Sequence, residues 1–105
     1  MERNEYVRRV LGAYRTTPGT CGVIRRADRL LAAELHERGV PAEVVENALI
    51  LAAARRLMRP AGAPPLGTVR SLAYFVPVID EVLQTEAGPE YFRYLQGKLQ
   101  RVAAS

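Results

Sequence analysis

The sequence predicts an all-α fold, a compact bundle of four to five helices around a central buried helix at about residues 41–59. Three observations carry that prediction. Seven apolar residues run unbroken from Ala48 to Ala54, as Ala-Leu-Ile-Leu-Ala-Ala-Ala. Successive helical residues step about 100° round the axis, so such a run cannot keep to one face and must be covered on all sides. The flanking segments carry apolar residues at helical spacing, which supplies the cover. Nowhere does an alternating stretch bounded by hairpin turns mark a strand, and no internal repeat appears.

Taken in order, Tyr6, Val7, Val10, Leu11 and Tyr14 form the stripe of a first amphipathic helix, with Asn4 as its expected N-cap. Arg8, Arg9 and Arg15 take its other face, and Thr16-Thr17-Pro18-Gly19 breaks it. A second helix is expected over about 24–38, with Ile24, Ala27, Leu30, Leu31, Glu34 and Leu35 inward, Glu34 at the edge. Arg25, Arg26, Asp28 and Arg29 then point outward together, and Gly39 suits a left-handed C-cap with Val40 reaching back to Leu35. Pro41 suits the first position of the third helix, where Glu43 and Glu46 complement the positive dipole end and Arg55, Arg56 and Arg59 the negative one.

The stretch from Pro60 to Gly67 holds three prolines and two glycines and reads as a semi-rigid linker within one core. A fourth helix is expected from Thr68 or Ser71, carrying Leu72, Tyr74, Phe75, Val76, Val78, Ile79, Val82 and Leu83. Pro77 lacks a backbone donor and clashes with the preceding turn, so a kink or break is expected there. Thr85-Glu86-Ala87-Gly88 ends this segment, and Pro89 starts a fifth helix with Phe92, Leu95, Leu99 and Val102 on one face.

The chain's 105 residues suit a single domain, 1–105, and 49% hydrophobic with 25% charged residues argues for a folded one. No apolar run approaches the roughly 18 residues a bilayer crossing needs. Met1 to Glu5 lacks the apolar core of a signal peptide, and a lone Cys21 offers no internal disulfide, so a cytoplasmic protein without a membrane partner is expected.

Charge is the most informative total. Fifteen cations face eleven acids, all but one of the cations are Arg, and residues 1–60 hold the whole excess, eleven Arg against seven acids. Such an imbalance favours polyanions, through phosphate contacts and counterion release. General enrichment of Arg and Ala by a GC-rich genome is the competing account. The expected contacts are Arg25, Arg26 and Arg29, extended by Arg8, Arg9 and Arg15, which would hold phosphates and carry little sequence information. A merely solvated arginine face is the alternative reading.

Motifs for catalysis are missing. Pro18-Gly19-Thr20-Cys21-Gly22 lacks the Lys that a phosphate loop requires. His36 and Cys21 have no companions at ligand spacing, so neither a metal, a cofactor nor a cysteine nucleophile is expected; they read as a surface residue at a helix end and a small loop residue. Asp80 and Glu81 are adjacent and point apart on a helix. A helix-turn-helix across Gly39-Val40-Pro41 would present Glu43, Glu46 and Asn47 to the DNA, acids that repel phosphates, so an ordinary helical hairpin is expected instead.

Three stretches, namely the tyrosine-bearing first helix, Arg26 to Val45 and Val69 to Phe75, carry a resemblance. Together they resemble the small helical domains of plasmid and phage replication initiators and related mobile-element proteins. The likeness spans most of the chain and rests mainly on fold signals. It implies DNA-associated work, in an accessory role since the winged-helix domain of many such initiators has no counterpart in these residues. The expected function is a non-enzymatic nucleic-acid-binding module for replication, recombination or a mobile element, with DNA favoured over RNA. The alternative is a protein-interaction module, a homo-oligomer or a subunit of a larger complex. Tyr74 and Phe75, with Tyr91 and Tyr94, motivate it: Tyr91, Phe92 and Tyr94 cannot all face inward from one short helix.

Overall fold

Five α-helices account for the architecture: α1 (Arg3–Thr16), α2 (Arg26–Glu37), α3 (Ala42–Leu57), α4 (Val76–Gln84) and α5 (Pro89–Ala104). The computed structural model describes residues 1–85 and 89–104. Among them no strand forms, and Thr20 and Val69 make one isolated parallel bridge. No helix among the described residues is long and apolar enough to cross a membrane. The bundle is all-α, as its apolar spacing predicts.

Helix α3 is the axis. Ala42, Val45, Ala48, Leu49, Leu51, Ala52, Ala53 and Ala54 are all buried, and α1, α4 and α5 pack against it from different sides. Four alanines in its middle let these neighbours approach closely, and Ile50 is the one residue of the apolar run left half-buried. Pro41 sits one position earlier than expected, as the N-cap, and the helix ends at Leu57 rather than near Arg59.

The stripe on α1 is placed as read, with Tyr6, Val10, Leu11 and Tyr14 buried. Its cap is not Asn4 but Glu2, whose carboxylate accepts from the Asn4 and Glu5 N–H groups at 2.9 and 3.2 Å. The Asn4 N–H first, and then the Glu5 N–H and Arg8, hold that carboxyl below its ordinary range. A carboxylate at the positive end of a helix dipole satisfies two donors that have no partner inside the helix.

Helix α2 is turned from the expected register. Asp28, Ala32 and Leu35 are buried with Leu31 beside them, while Ala27, Leu30 and Glu34 face out, Leu30 at 58% exposure. The reason is the N-terminal turn. Asp28 closes it by accepting from the Arg25 N–H at 2.9 Å, and a carboxylate in that role must lie beside the helix start, which here is inside. At the other end Gly39, with φ of 76°, makes the expected C-cap: its N–H bonds to the His36 carbonyl at 3.0 Å and the Val40 N–H to the Leu35 carbonyl at 3.1 Å. The expected hairpin of α2 on α3 does not form, because α2 packs chiefly on α1. The Tyr6 hydroxyl donates to the Val40 carbonyl at 2.7 Å, and the His36 ring stands edge-on to Tyr6 at 5.0 Å, half-buried rather than on the surface.

Pro77 does break the fourth segment. A 3-10 turn at Leu72–Phe75 leads into α4, and the proline occupies the first helical turn, where its missing N–H costs nothing. Phe92, Leu95 and Leu99 of α5 are buried as read. Glu86 to Gly88 of the expected breaker, and the Val102 side chain, lie outside the described residues.

Candidate nucleic-acid interface

The start of α1 lies beside the end of α2, through Tyr6 with His36 and Val40, so the two helices run antiparallel. Consequently the end of α1, the loop at 17–25 and the start of α2 occupy one end of the pair. Local chemistry stiffens that loop. Thr17 Oγ1 donates to the Ala13 carbonyl at 2.7 Å and Thr20 Oγ1 to the Thr17 carbonyl at 2.9 Å. Gly19 and Gly22 take φ of 91° and 75°, the left-handed region that costs a residue with a Cβ.

The loop is also tied to a distant segment. The Cys21 N–H bonds to the Val69 carbonyl at 2.9 Å, and the Val69 N–H to the Gly19 carbonyl at 2.8 Å. Three residues on, the Leu72 N–H donates to Asp28 Oδ1 at 2.9 Å. Asp28 is 2% exposed, so both carboxylate oxygens are spent on backbone N–H groups and it is no part of the outward surface predicted for it. Arg70, between these two attachments, is thereby brought to the start of α2.

Arg15, Arg25, Arg26, Arg29 and Arg70 are all exposed at this end of the molecule. Among the described residues none of the five forms an ion pair. The Asp28 carboxylate at the start of α2 is already committed to the two backbone N–H groups. Arg25 to Arg29 also surround the positive end of the α2 dipole, where cations are disfavoured.

The other two named cations are placed differently. Arg8 is exposed on the opposite end of α1, within electrostatic reach of Glu2. Arg9 is held in a bidentate pair by Glu46, with Nε at 3.0 Å and Nη2 at 2.6 Å from the carboxylate oxygens, which raises its pKa further. Glu46 thus joins α3 to α1, and of the two acids expected at the positive dipole end only Glu43 lies in the first turn.

Beneath the patch Tyr14 is fully buried, edge-on to Phe75 at 6.1 Å, and among the described residues no oxygen or nitrogen partners its hydroxyl, which lies beside the Cys21 thiol. Burial, then the Asp28 carboxylate and the Cys21 thiol beside it, push its pKa up to about 12. The ring is core material and stays neutral.

The aromatic set divides. Tyr91 and Tyr94 are 49% and 56% exposed on α5, Tyr94 with Lys98 Nζ at 5.7 Å from its ring. Tyr74 is half-exposed, whereas Phe75 is 1% exposed and belongs to the core, because the 3-10 turn points successive side chains in different directions. Phe75 is not a surface anchor. Asp80 and Glu81 diverge as adjacent helical residues must, Asp80 to Arg38 at 3.5 Å and Glu81 to Arg55 in a bidentate pair.

Three arginines escaped the sequence reading of the interface. Arg70 carries no local signal, since its position depends on a pairing across 49 residues, Thr20 with Val69. Arg56 and Arg59 read as dipole complements at the end of α3, yet Arg56 lies under Gly19, where an added Cβ would stand 3.3 Å from its Nε. No group of His, Cys, Asp and Glu among the described residues is arranged to hold a metal ion. No family model, curated protein or solved structure matches the chain.

Proposed function

We propose that the protein is a non-enzymatic, cytoplasmic nucleic-acid-binding module that grips phosphates at the junction of α1, α2 and the segment around Arg70. The observation that carries the reading is the set of five exposed arginines with no ion pair among the described residues, gathered round a helix start. Helix N-termini bind anions through free N–H groups and the dipole, and arginines add bidentate contacts. A phosphate there would relieve the repulsion of the three cations on the α2 start. DNA is the favoured polyanion, in keeping with the resemblance to replication-initiator and mobile-element domains, and the contacts are backbone contacts that supply affinity more than sequence preference.

The test is a salt series. Affinity for a DNA duplex should fall steeply as salt rises, and replacing Arg25, Arg26 and Arg29 by Ala should weaken it about a hundredfold at low salt while leaving the unfolding transition in place. Unchanged affinity in the triple variant would reject the patch. The second reading, a protein-interaction module, is favoured by the two half-exposed tyrosines of α5. A stable multimer in sedimentation that Tyr94→Ala dissolves, with no salt-dependent binding of DNA, would select it instead.

A further inference from the structure

A second feature lies on the far side of the same loop. Arg56, in the last turn of α3, and Arg59, two residues past its end, are each held by neutral oxygens. Arg56 Nη1 donates to the Tyr74 hydroxyl at 3.1 Å and Nη2 to the Gly67 carbonyl at 2.6 Å. Arg59 Nη1 donates to the Pro64 carbonyl. Both side chains are half-buried, and among the described residues neither has a carboxylate partner. Arg55 differs, because Glu81 neutralises it.

Holding a guanidinium with carbonyls fixes its plane without cancelling its charge. Each makes only one or two of its five possible hydrogen bonds this way, so donors remain for an anion. Two half-buried like charges on the wall of the same clefts repel one another, and the negative end of the α3 dipole offsets only part of that cost.

The space around them has the matching shape. Two clefts of about 260 and 280 Å³ share Arg56, Arg59 and Leu66 as a common wall. One continues over Tyr74, Val78 and Ala52, an apolar stretch with a half-exposed ring, and is also lined by Arg55, which Glu81 neutralises. The other continues under Pro18 and Gly19, in the loop that joins α1 to α2. Cation and ring are already coupled, with the Arg56 guanidinium carbon 5.6 Å from the centre of Tyr74.

From this arrangement we infer that the paired clefts bind a single nucleotide unit, its phosphate on Arg56 and Arg59 and its base against Tyr74, Leu66 and Val78. The inference deepens the polyanion reading by naming the strand. A base can reach Tyr74 only when unpaired, so the site selects single-stranded over duplex nucleic acid.

Two measurements on the full chain test it. In the first, thymidine 5′-monophosphate is titrated while the Arg56 and Arg59 Nε–H and Tyr74 ring resonances are followed by NMR. Saturable shifts of all three groups are expected, and inorganic phosphate should move the arginines alone. These shifts should persist when Arg25, Arg26 and Arg29 are replaced by Ala, which separates failure of this site from failure of the patch. In the second, a short oligothymidylate and a duplex of the same length are bound to the protein and to Arg59→Gln and Tyr74→Leu. Each variant should lose about tenfold in affinity for the single strand and little for the duplex. Tyr74→Phe should keep most of the single-strand affinity, since it keeps the ring. An oligomer that binds much more tightly than the mononucleotide identifies a strand as the occupant, and equal affinities identify the free nucleotide; both support the site. Absence of the mononucleotide shifts, or equal losses for single strand and duplex, would overturn it.

Discussion

Phe75→Ala is expected to destabilise the domain by about 4 kcal/mol, the usual scale for removing a buried aromatic ring from a packed core. The ring is 1% exposed and meets Tyr14 edge-on at 6.1 Å and Tyr74 at 5.1 Å. It is carried by a 3-10 turn of only four residues, whose own backbone bonds cannot hold it against α1 and α3. The cavity would open beside Tyr14, whose ring loses its edge-on partner. Domains of this size have stabilities of about 5–15 kcal/mol, so this single change consumes a large share. Urea unfolding of the variant beside Tyr74→Ala makes the comparison. The neighbouring half-exposed ring should cost about 1 kcal/mol or less, because about half of its surface is already in water. Equal losses at the two positions would contradict the division of this aromatic pair into core and surface.

How far the fold was legible depends on which side of each helix its polar residues occupy. Along α1 every inward position is apolar, so the stripe of Tyr6, Val10, Leu11 and Tyr14 could be read directly. For α3 an apolar run admits only one conclusion, burial all round. In α2 two stripes satisfy the same period: Ala27, Leu30, Leu31 and Leu35, or Asp28, Leu31, Ala32 and Leu35. Hydrophobicity prefers the first. The second is realised because an N-terminal carboxylate three residues after the cap serves the backbone, a need that ranks above its charge. Pro77 was legible because its effect is local and steric. Arg70 was not, because its place is set by the Val69 pairing with a loop far away in sequence. Arg56 and Arg59 were visible as charges but not as neighbours of Tyr74, for the same reason. The arginines of α2 were found by composition, and their exposure holds in spite of the turned register: Arg26 and Arg29 lie outside in both.

Asp28→Ala is the second large effect, expected at about 3 kcal/mol. The carboxylate accepts from the Arg25 and Leu72 N–H groups, each at 2.9 Å, and is 2% exposed. Hydrogen bonds to a charged acceptor contribute about 1.5–3 kcal/mol each, and a donor left buried without one incurs its desolvation penalty. The Leu72 donor is the buried one, so the cost concentrates where the 3-10 turn meets α2. Asp28→Asn retains one acceptor oxygen and should lose about half as much. The two variants also separate charge from framework at the arginine patch. In Asp28→Asn a carboxylate at the start of α2 is gone while much of the connection survives, so at low salt affinity for a polyanion should hold or rise as stability falls. Asp28→Ala removes one of the two ties that flank Arg70 and loosens it from the start of α2, and affinity should fall with stability even where the protein remains folded. A parallel fall in both variants would mean that the carboxylate positions the arginines as well as the backbone. Unchanged stability in Asp28→Ala would remove the buried tie on which the register of α2, and the gathering of these arginines, depends.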